Sequence, residues 1–326
     1  VALYGLLSDV HATRHAPASC TDSYLPDLLG LLKQALGVFR ERRTAASIVA
    51  GDLFHHKAPS RSDHYLVREL AELFRDNDVW VLPGNHDMQN DRPSSVSVTQ
   101  PLGVLYSAGV AHCLDGWMGS DHPVFGVPWQ QHWSEEGIAE CLRPWNEQLF
   151  ARSLVVTHAP LYPPGSEPRY EGAELTPADW WAGPLEDGSM GHGVFYGHIH
   201  EPHGTWERRG VRFCNNGALS RGSLDEYNLE RQVGVTLWDS STGEFEFVPL
   251  DARPASEVFR LREHEQVVTA KMSLDEFMAG LDETVLPRLD PAAVLARFRE
   301  QGVPRDELDL AEELLDWAGA EGKPKK

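Results

Sequence analysis

The sequence predicts an α/β fold: a two-sheet β-sandwich flanked by helices, followed by a small, mostly helical C-terminal region. Three observations carry that expectation. Over the first two-thirds, short apolar runs alternate with amphipathic stretches, the βαβ rhythm of layered α/β domains. After Gly204 come closely spaced short strands with tight turns, a pattern of antiparallel pairing. Beyond about residue 255, a capping box and helical stretches replace the strands. A chain of 326 residues suits one large domain and a smaller appendage, with the expected division at 1–252 and 253–326.

The elements follow in order. Leu3 to Leu7 is a buried strand. Residues 25–40 form a helix with Leu28, Leu29, Leu32, Leu36 and Phe39 on one face. Residues 47–50 are a second strand. Ser60 opens a helix with Asp63 three residues on, and Leu66, Leu70, Leu73 and Phe74 recur at helical spacing. Residues 78–82, 153–157 and 194–196 are further strands. Residues 205–208, 211–214, 233–238 and 244–248 are the antiparallel set, with turns at Arg209-Gly210 and Thr242-Gly243. Ser273 to Glu276 is a capping box, and helices are expected at 291–299 and 306–317. The tail from Gly322 is expected to be disordered.

Composition narrows the function classes. Hydrophobic residues make up 41% and charged residues 24%, an ordinary globular balance. No apolar run approaches the roughly 18 residues of a membrane span, and the first residues lack a basic leader. Cys20, Cys113, Cys141 and Cys214 show no CxxC spacing, which argues against a disulfide scaffold and a thiolate zinc site. The expectation is a cytoplasmic protein with free thiols and no membrane contact. A net charge of −20 argues against a surface that grips nucleic acid all over, and leaves room for local contacts through bound cations.

The chemistry lies where strands end. The first ends in Ser8-Asp9-Val10-His11, the second in Gly51-Asp52-Leu53-Phe54-His55-His56, the third in Pro83-Gly84-Asn85-His86-Asp87. The fourth ends in Thr157-His158 and the fifth in Gly197-His198-Ile199-His200. Taken singly, an Asp-x-His is most often a solvated turn, Gly-Asp a common turn, and a lone His structural. The Gly-Asn-His-Asp run is more specific: Asn85 offers a neutral oxygen, and His86 is a general-acid candidate with Asp87 beside it to orient the ring. Two histidines one residue apart after a glycine are a strong metal signal. Side chains at the carboxyl ends of strands converge on one crevice.

In this order the five motifs resemble the calcineurin-like metallophosphoesterase superfamily, over residues 1 to about 250. The resemblance implies one metal held by Asp9, His11 and His200, another by Asn85, His158 and His198, and Asp52 between them. It implies His86 at the phosphate or leaving oxygen, with Asp87 behind it. Two cations about 3.5–4 Å apart would share a hydroxide for in-line attack on phosphorus. Mixed N/O ligation without thiolate suits Mn2+ first, then Fe or Zn2+.

Within that superfamily, residues 51–60 and 215–222 resemble the SbcD-type DNA repair nucleases. That likeness implies DNA as substrate, His55 near the metals handling the strand, an SbcC-like ABC-type ATPase as partner, and allows a homodimer. Lys57, Arg61, Arg92 and Arg221 are the candidate phosphate contacts, and solvated surface charge is an equally good account of each. Phe277, Leu281, Leu295, Phe298, Leu310, Leu314 and Trp317 would dock a partner or pack on the core. The alternative is a nucleotide phosphodiesterase or phosphoprotein phosphatase, favoured if residues 160–193, with Trp180 and Trp181, close over the cleft. A non-catalytic scaffold would show lost ligands, and the set here is complete.

Overall fold

β1 (Leu3–Leu7) opens a βαβαβ run with α1 (Tyr24–Glu41), β2 (Ala46–Ala50), α2 (His64–Phe74) and β3 (Val79–Leu82). The computed structural model describes residues 2–58, 63–90, 92–146, 152–166, 175–186 and 192–261. β1, β2 and β3 pair in parallel. Both crossovers are amphipathic helices, as parallel neighbours require. The α2 cap is Asp63, whose carboxylate accepts from the Tyr65 amide. The helix therefore starts at His64, and the expected Ser60 start lies outside the described residues.

The chain continues through α3 (Pro101–Ser107), β4 (His112–Cys113), β5 (Gly116–Trp117), β6 (Val124–Val127), α4 (Glu135–Asn146), β7 (Leu154–Thr157), α5 (Ala178–Leu185) and β8 (Gly193–Tyr196). Then come β9 (Gly204–Arg208), β10 (Val211–Asn215), α6 (Glu226–Glu230), β11 (Gly234–Asp239), β12 (Glu244–Pro249) and α7 (Ala255–Val258). One six-stranded sheet runs β12-β11-β1-β2-β3-β4, the other β5-β6-β7-β8-β10-β9. β9–β10 and β11–β12 are antiparallel hairpins, turning at Arg209-Gly210 and through Gly243, where φ is positive. The sandwich is mixed because β10 also lies parallel to β8.

Period-two alternation sorts the side chains into three apolar layers. Tyr4, Leu6, Ile48, Ala50, Leu82, Leu154, Val156, Phe195 and Trp238 fill the space between the sheets. Leu7, Val49, Val81, Val235 and Leu237 face outward and pack with Leu28, Leu32, Leu36 and Phe39 of α1 and Leu66, Leu70 and Phe74 of α2. On the other outer face, Val155, Val194 and Phe213 meet Ile138 and Leu142 of α4 and Trp181 of α5. Each fully buried leucine or phenylalanine here contributes about 1.5–3 kcal/mol by leaving water.

The chain divides into compact units Val1–Leu261 and Arg262–Lys326. The first extends past residue 252 because the segment after β12 returns to α1. Val258 and Phe259 are buried in the α1 core, Phe259 bridges Cys20, and Arg260 N donates to Ser19 O at 2.9 Å. The expected helices at 273–281, 291–299 and 306–317 lie outside the described residues. All four cysteines are free, and no described helix is long and apolar enough to cross a membrane.

Trp181 belongs to the core: it is fully buried, with its ring 5.5 Å from that of Trp133, while Trp180 packs at the edge of the same cluster. This pair therefore anchors its part of residues 160–193 to the core, while residues 167–174 and 187–191 of the expected closing segment lie outside the described residues. Trp181→Ala is expected to lower the unfolding free energy by about 3–5 kcal/mol through cavity formation. Urea denaturation measures it, and a loss within about 0.5 kcal/mol would return Trp181 to the surface.

Candidate metal centre and its cavity

The parallel strands β1, β2, β3, β7 and β8 all end at one rim, and each motif follows its strand there. Turning the chain at once, with the side chain aimed back over the sheet edge, requires unusual backbone. Asp9, His11, Asp52 and His198 all have positive φ (52°, 46°, 52° and 74°), four of the six such non-glycine residues described. Asp and His tolerate this region better than branched residues, yet such strain persists only where the surroundings impose it. Glycines supply the remaining clearance. A Cβ on Gly51, itself at φ +90°, would lie 2.0 Å from His158 Nδ1, and one on Gly84 would lie 2.2 Å from Asp52 Oδ1.

The donors converge. His11 Nε2 and His200 Nε2 are 2.9 Å apart, at 3.8 and 3.6 Å from Asp9 Oδ1. Asp52 Oδ2 lies 3.2 Å from His158 Nε2 and 3.6 Å from His11 Nε2, between the two halves of the cluster. Asn85 Oδ1 is 3.2 Å from both His158 Nε2 and His198 Nδ1. Asp9 accepts from the His198 amide through both oxygens, at 3.2 and 3.1 Å, so the first and last motifs are in direct contact. All seven candidate ligands thus form one cluster.

Electrostatics fits a cation. Burial pushes His11 well below the ordinary histidine range and His198 down to about 3, leaving both imidazoles neutral, the state a metal ligand needs. Burial disfavours charge on His158 too, but the Asp52 carboxylate beside it wins and raises its pKa to about 9. Asp9 is raised by burial; for Asp52 burial opposes ionisation, but His158 and His11 hold it well below the carboxylate range. Asp9 and Asp52 are 0% and 2% exposed, a concentration of buried carboxylate that demands positive charge. Two imidazole nitrogens facing each other across 2.9 Å, beside those carboxylates, are an arrangement a divalent ion would satisfy. The donor set of carboxylate, imidazole and amide oxygen fits the group.

His86 and its neighbours lie against this cluster. The His86 amide donates to Asp52 Oδ1 at 2.9 Å, and its ring Nδ1 is 2.8 Å from the His55 carbonyl. The His55 and His86 rings stack at 5.3 Å, and His11 meets His86 edge-on at 4.9 Å. Burial, then the nearby His56 and His86, lowers His55 to about 4. Asp87 corrects one expectation. Its carboxylate accepts from the amides of Gly84, Leu53 and Phe54 at 3.0, 3.4 and 3.3 Å. It therefore ties the third motif to the second, while the carbonyl of His55 orients the His86 ring. Burial and the neighbouring Asp52 raise the Asp87 carboxyl to about 7.

The charged candidates separate. Lys57 is exposed, and its Nζ donates to the Asn85 carbonyl at 3.2 Å, beside the metal cluster. Arg92 is exposed at the start of a short 3-10 turn and lines no described cavity next to the cluster. Arg61 lies outside the described residues. Arg221 is corrected from a strand contact to a buried brace: it is 5% exposed and 3.4 Å from Asp27. No sequence signal singles out Thr13, Tyr24 or Ser220, yet all three line the cavity over the cluster. They arrive there by tertiary contact: Ser220 Oγ donates to Asp9 O at 3.1 Å, and the Leu219 amide to Ser8 O at 2.9 Å.

The model of the calcineurin-like phosphoesterases matches residues 4–202, which includes every one of these motifs. The chain belongs to that family. Among solved structures, this phosphoesterase is similar to a dimetal phosphatase from Danio rerio at 14% identity, covering 73% of this chain and 92% of that one, with a TM-score of 0.47. A novel archaeal phosphodiesterase aligns at 14% identity over 76% and 99% of the two chains, with a TM-score of 0.39. A phosphoesterase from E. coli aligns at 15% identity over 76% and 100%, with a TM-score of 0.36.

The glycine packing gives a direct test. Gly51→Ala must displace His158, so metal content measured by mass spectrometry should fall by at least about half while far-UV dichroism stays native. Full metal occupancy in a folded Gly51→Ala protein would show that His158 is no ligand.

Proposed function

We propose that this calcineurin-like phosphoesterase is a phosphodiesterase that cleaves DNA strands, using two divalent ions, with Mn2+ the first choice. The observation behind this reading is a groove rather than a blind pocket. A cavity of about 440 Å³ over the cluster adjoins another of about 380 Å³, and the two share His55, His56, Asn85 and His86, which gives the groove two arms. A monoester needs room for one ester arm; a diester cleaved in line needs room for two. The likeness of residues 51–60 and 215–222 to DNA repair nucleases supports DNA as the diester, with an ABC-type ATPase as a partner that would strengthen its hold.

Asp9, His11 and His200 would hold one ion, Asn85, His158 and His198 the other, with Asp52 between them. When bound, the ions would neutralise charge on the phosphoryl oxygens and make water a nucleophile at neutral pH. The protein supplies position. His86, fixed through Nδ1–H on the His55 carbonyl, keeps Nε2 toward the phosphate or the leaving oxygen; as the imidazolium it would pass its Nε2 proton to the leaving oxygen and return to the neutral ring. His55 stays neutral and braces the His86 ring face, while Lys57 offers a cation along the second arm.

His86→Ala should retain both metals and lose about 10²–10⁴-fold in rate, whereas Asp52→Ala should lose metal and activity together. Metal analysis beside turnover separates the two, and metal loss in His86→Ala would make His86 a ligand.

Among the described residues, Lys57 is the one lysine or arginine lining either cavity. A protein of net charge −20 therefore holds a polyanion weakly. Cleavage of labelled single- and double-stranded DNA should fall as salt rises, with a log–log slope of about −0.7 to −0.9 per contact. Hydrolysis of bis-p-nitrophenyl phosphate should barely change. Rapid hydrolysis of cyclic nucleotides with no DNA cleavage would instead establish a nucleotide phosphodiesterase.

A further inference from the structure

The two arms of the groove differ in charge. The smaller carries Lys57 beside His56 and Ala58. The larger runs from the cluster between the loop after β1 and the loop after β10. Beyond the metal-ligand residues it is lined chiefly by Thr13, Ala16, Pro17, Tyr24, Ser220 and Ser223, with the exposed His15 also on it. No lysine or arginine lines it among the described residues. The guanidiniums on the flanking segments are turned to other work: Arg14 pairs with Asp63 at 2.5 Å, Arg221 pairs with Asp27, and Arg231 donates to the Ser220 carbonyl at 2.8 Å and to Asn228 Oδ1 at 2.7 Å. The Tyr24 hydroxyl donates to the His11 carbonyl at 3.4 Å, and burial pushes its pKa up, so it stays an uncharged donor.

Resting on the phosphodiesterase reading, we infer that this larger arm is a subsite for an uncharged, hydroxyl-bearing ring, the terminal nucleoside of the substrate, and that it rejects a second phosphate. Apolar faces at Ala16, Pro17 and Tyr24 suit a base or sugar ring, and the hydroxyls of Thr13 and Ser220 suit sugar oxygens. A dianion entering the same space would lose hydration with no lysine or arginine lining the arm to replace it. The neutral end of a strand fits this arm, and the polyanionic remainder extends over Lys57.

The test compares three esters at about pH 8.5, above the ordinary histidine range: bis-p-nitrophenyl phosphate, thymidine 5′-(p-nitrophenyl phosphate), and the same nucleotide ester bearing a 3′-phosphate. The full chain with Mn2+ should show a lower KM for the thymidine ester than for the bis-aryl ester. The 3′-phosphate should raise KM by about tenfold or more with little change in kcat. Ala16→Lys, and independently Ser223→Lys, should shrink that penalty several-fold by placing a cation in the arm. Equal KM values with and without the 3′-phosphate would overturn the subsite while leaving the phosphodiesterase reading intact. So would lysine variants that fold, hydrolyse the bis-aryl ester and keep the penalty unchanged. Failure to hydrolyse any of the three esters would overturn the phosphodiesterase reading and the subsite with it.

Discussion

The rim of this protein is organised around the carboxylate of Asp52. One oxygen accepts from the His86 amide at 2.9 Å, and the other lies 3.2 Å from His158 and 3.6 Å from His11. That single group therefore touches motifs that follow β1, β3 and β7, strands drawn from both sheets. An almost fully buried carboxylate with so many partners fixes the distances between them, because each partner must satisfy part of its charge. The close glycines follow from it: Gly84 has no room for a side chain because Asp52 occupies that space.

What could be read from the sequence divides along physical lines. The ligand positions were legible because strand ends in α/β layers converge by geometry, and five motifs in a fixed order leave little freedom. The strands and α1 were legible from periodicity. The region 101–146 was not, since β4 and β5 are two residues each and α3 is seven, too short for a periodic signal. Roles that depend on side-chain direction were also hidden. Adjacency suggested that Asp87 orients His86, yet consecutive residues in a turn point apart, and Asp87 faces three backbone amides instead. Arg221 reads as a surface cation, and only the packing of α1 against its loop shows the pairing with Asp27.

Charge is distributed in a way that total composition conceals. The chain carries a net of −20, while the groove is lined by histidines, the buried Asp52 and one lysine. Attraction for a phosphate is thus concentrated at the metal positions, which makes substrate capture depend on the ions more than on the protein surface.

Because the candidate ligands come from both sheets, the ions would add cross-links between two layers joined by an apolar core and by polar contacts such as that of the His198 amide with Asp9. Loading would then stabilise the native state by an amount that grows logarithmically with free metal, about 1.4 kcal/mol for each tenfold rise above the dissociation constant. Resistance to heat and to proteolysis would track metal supply, so a shortage of the cofactor would lower the amount of protein as well as the activity of each molecule.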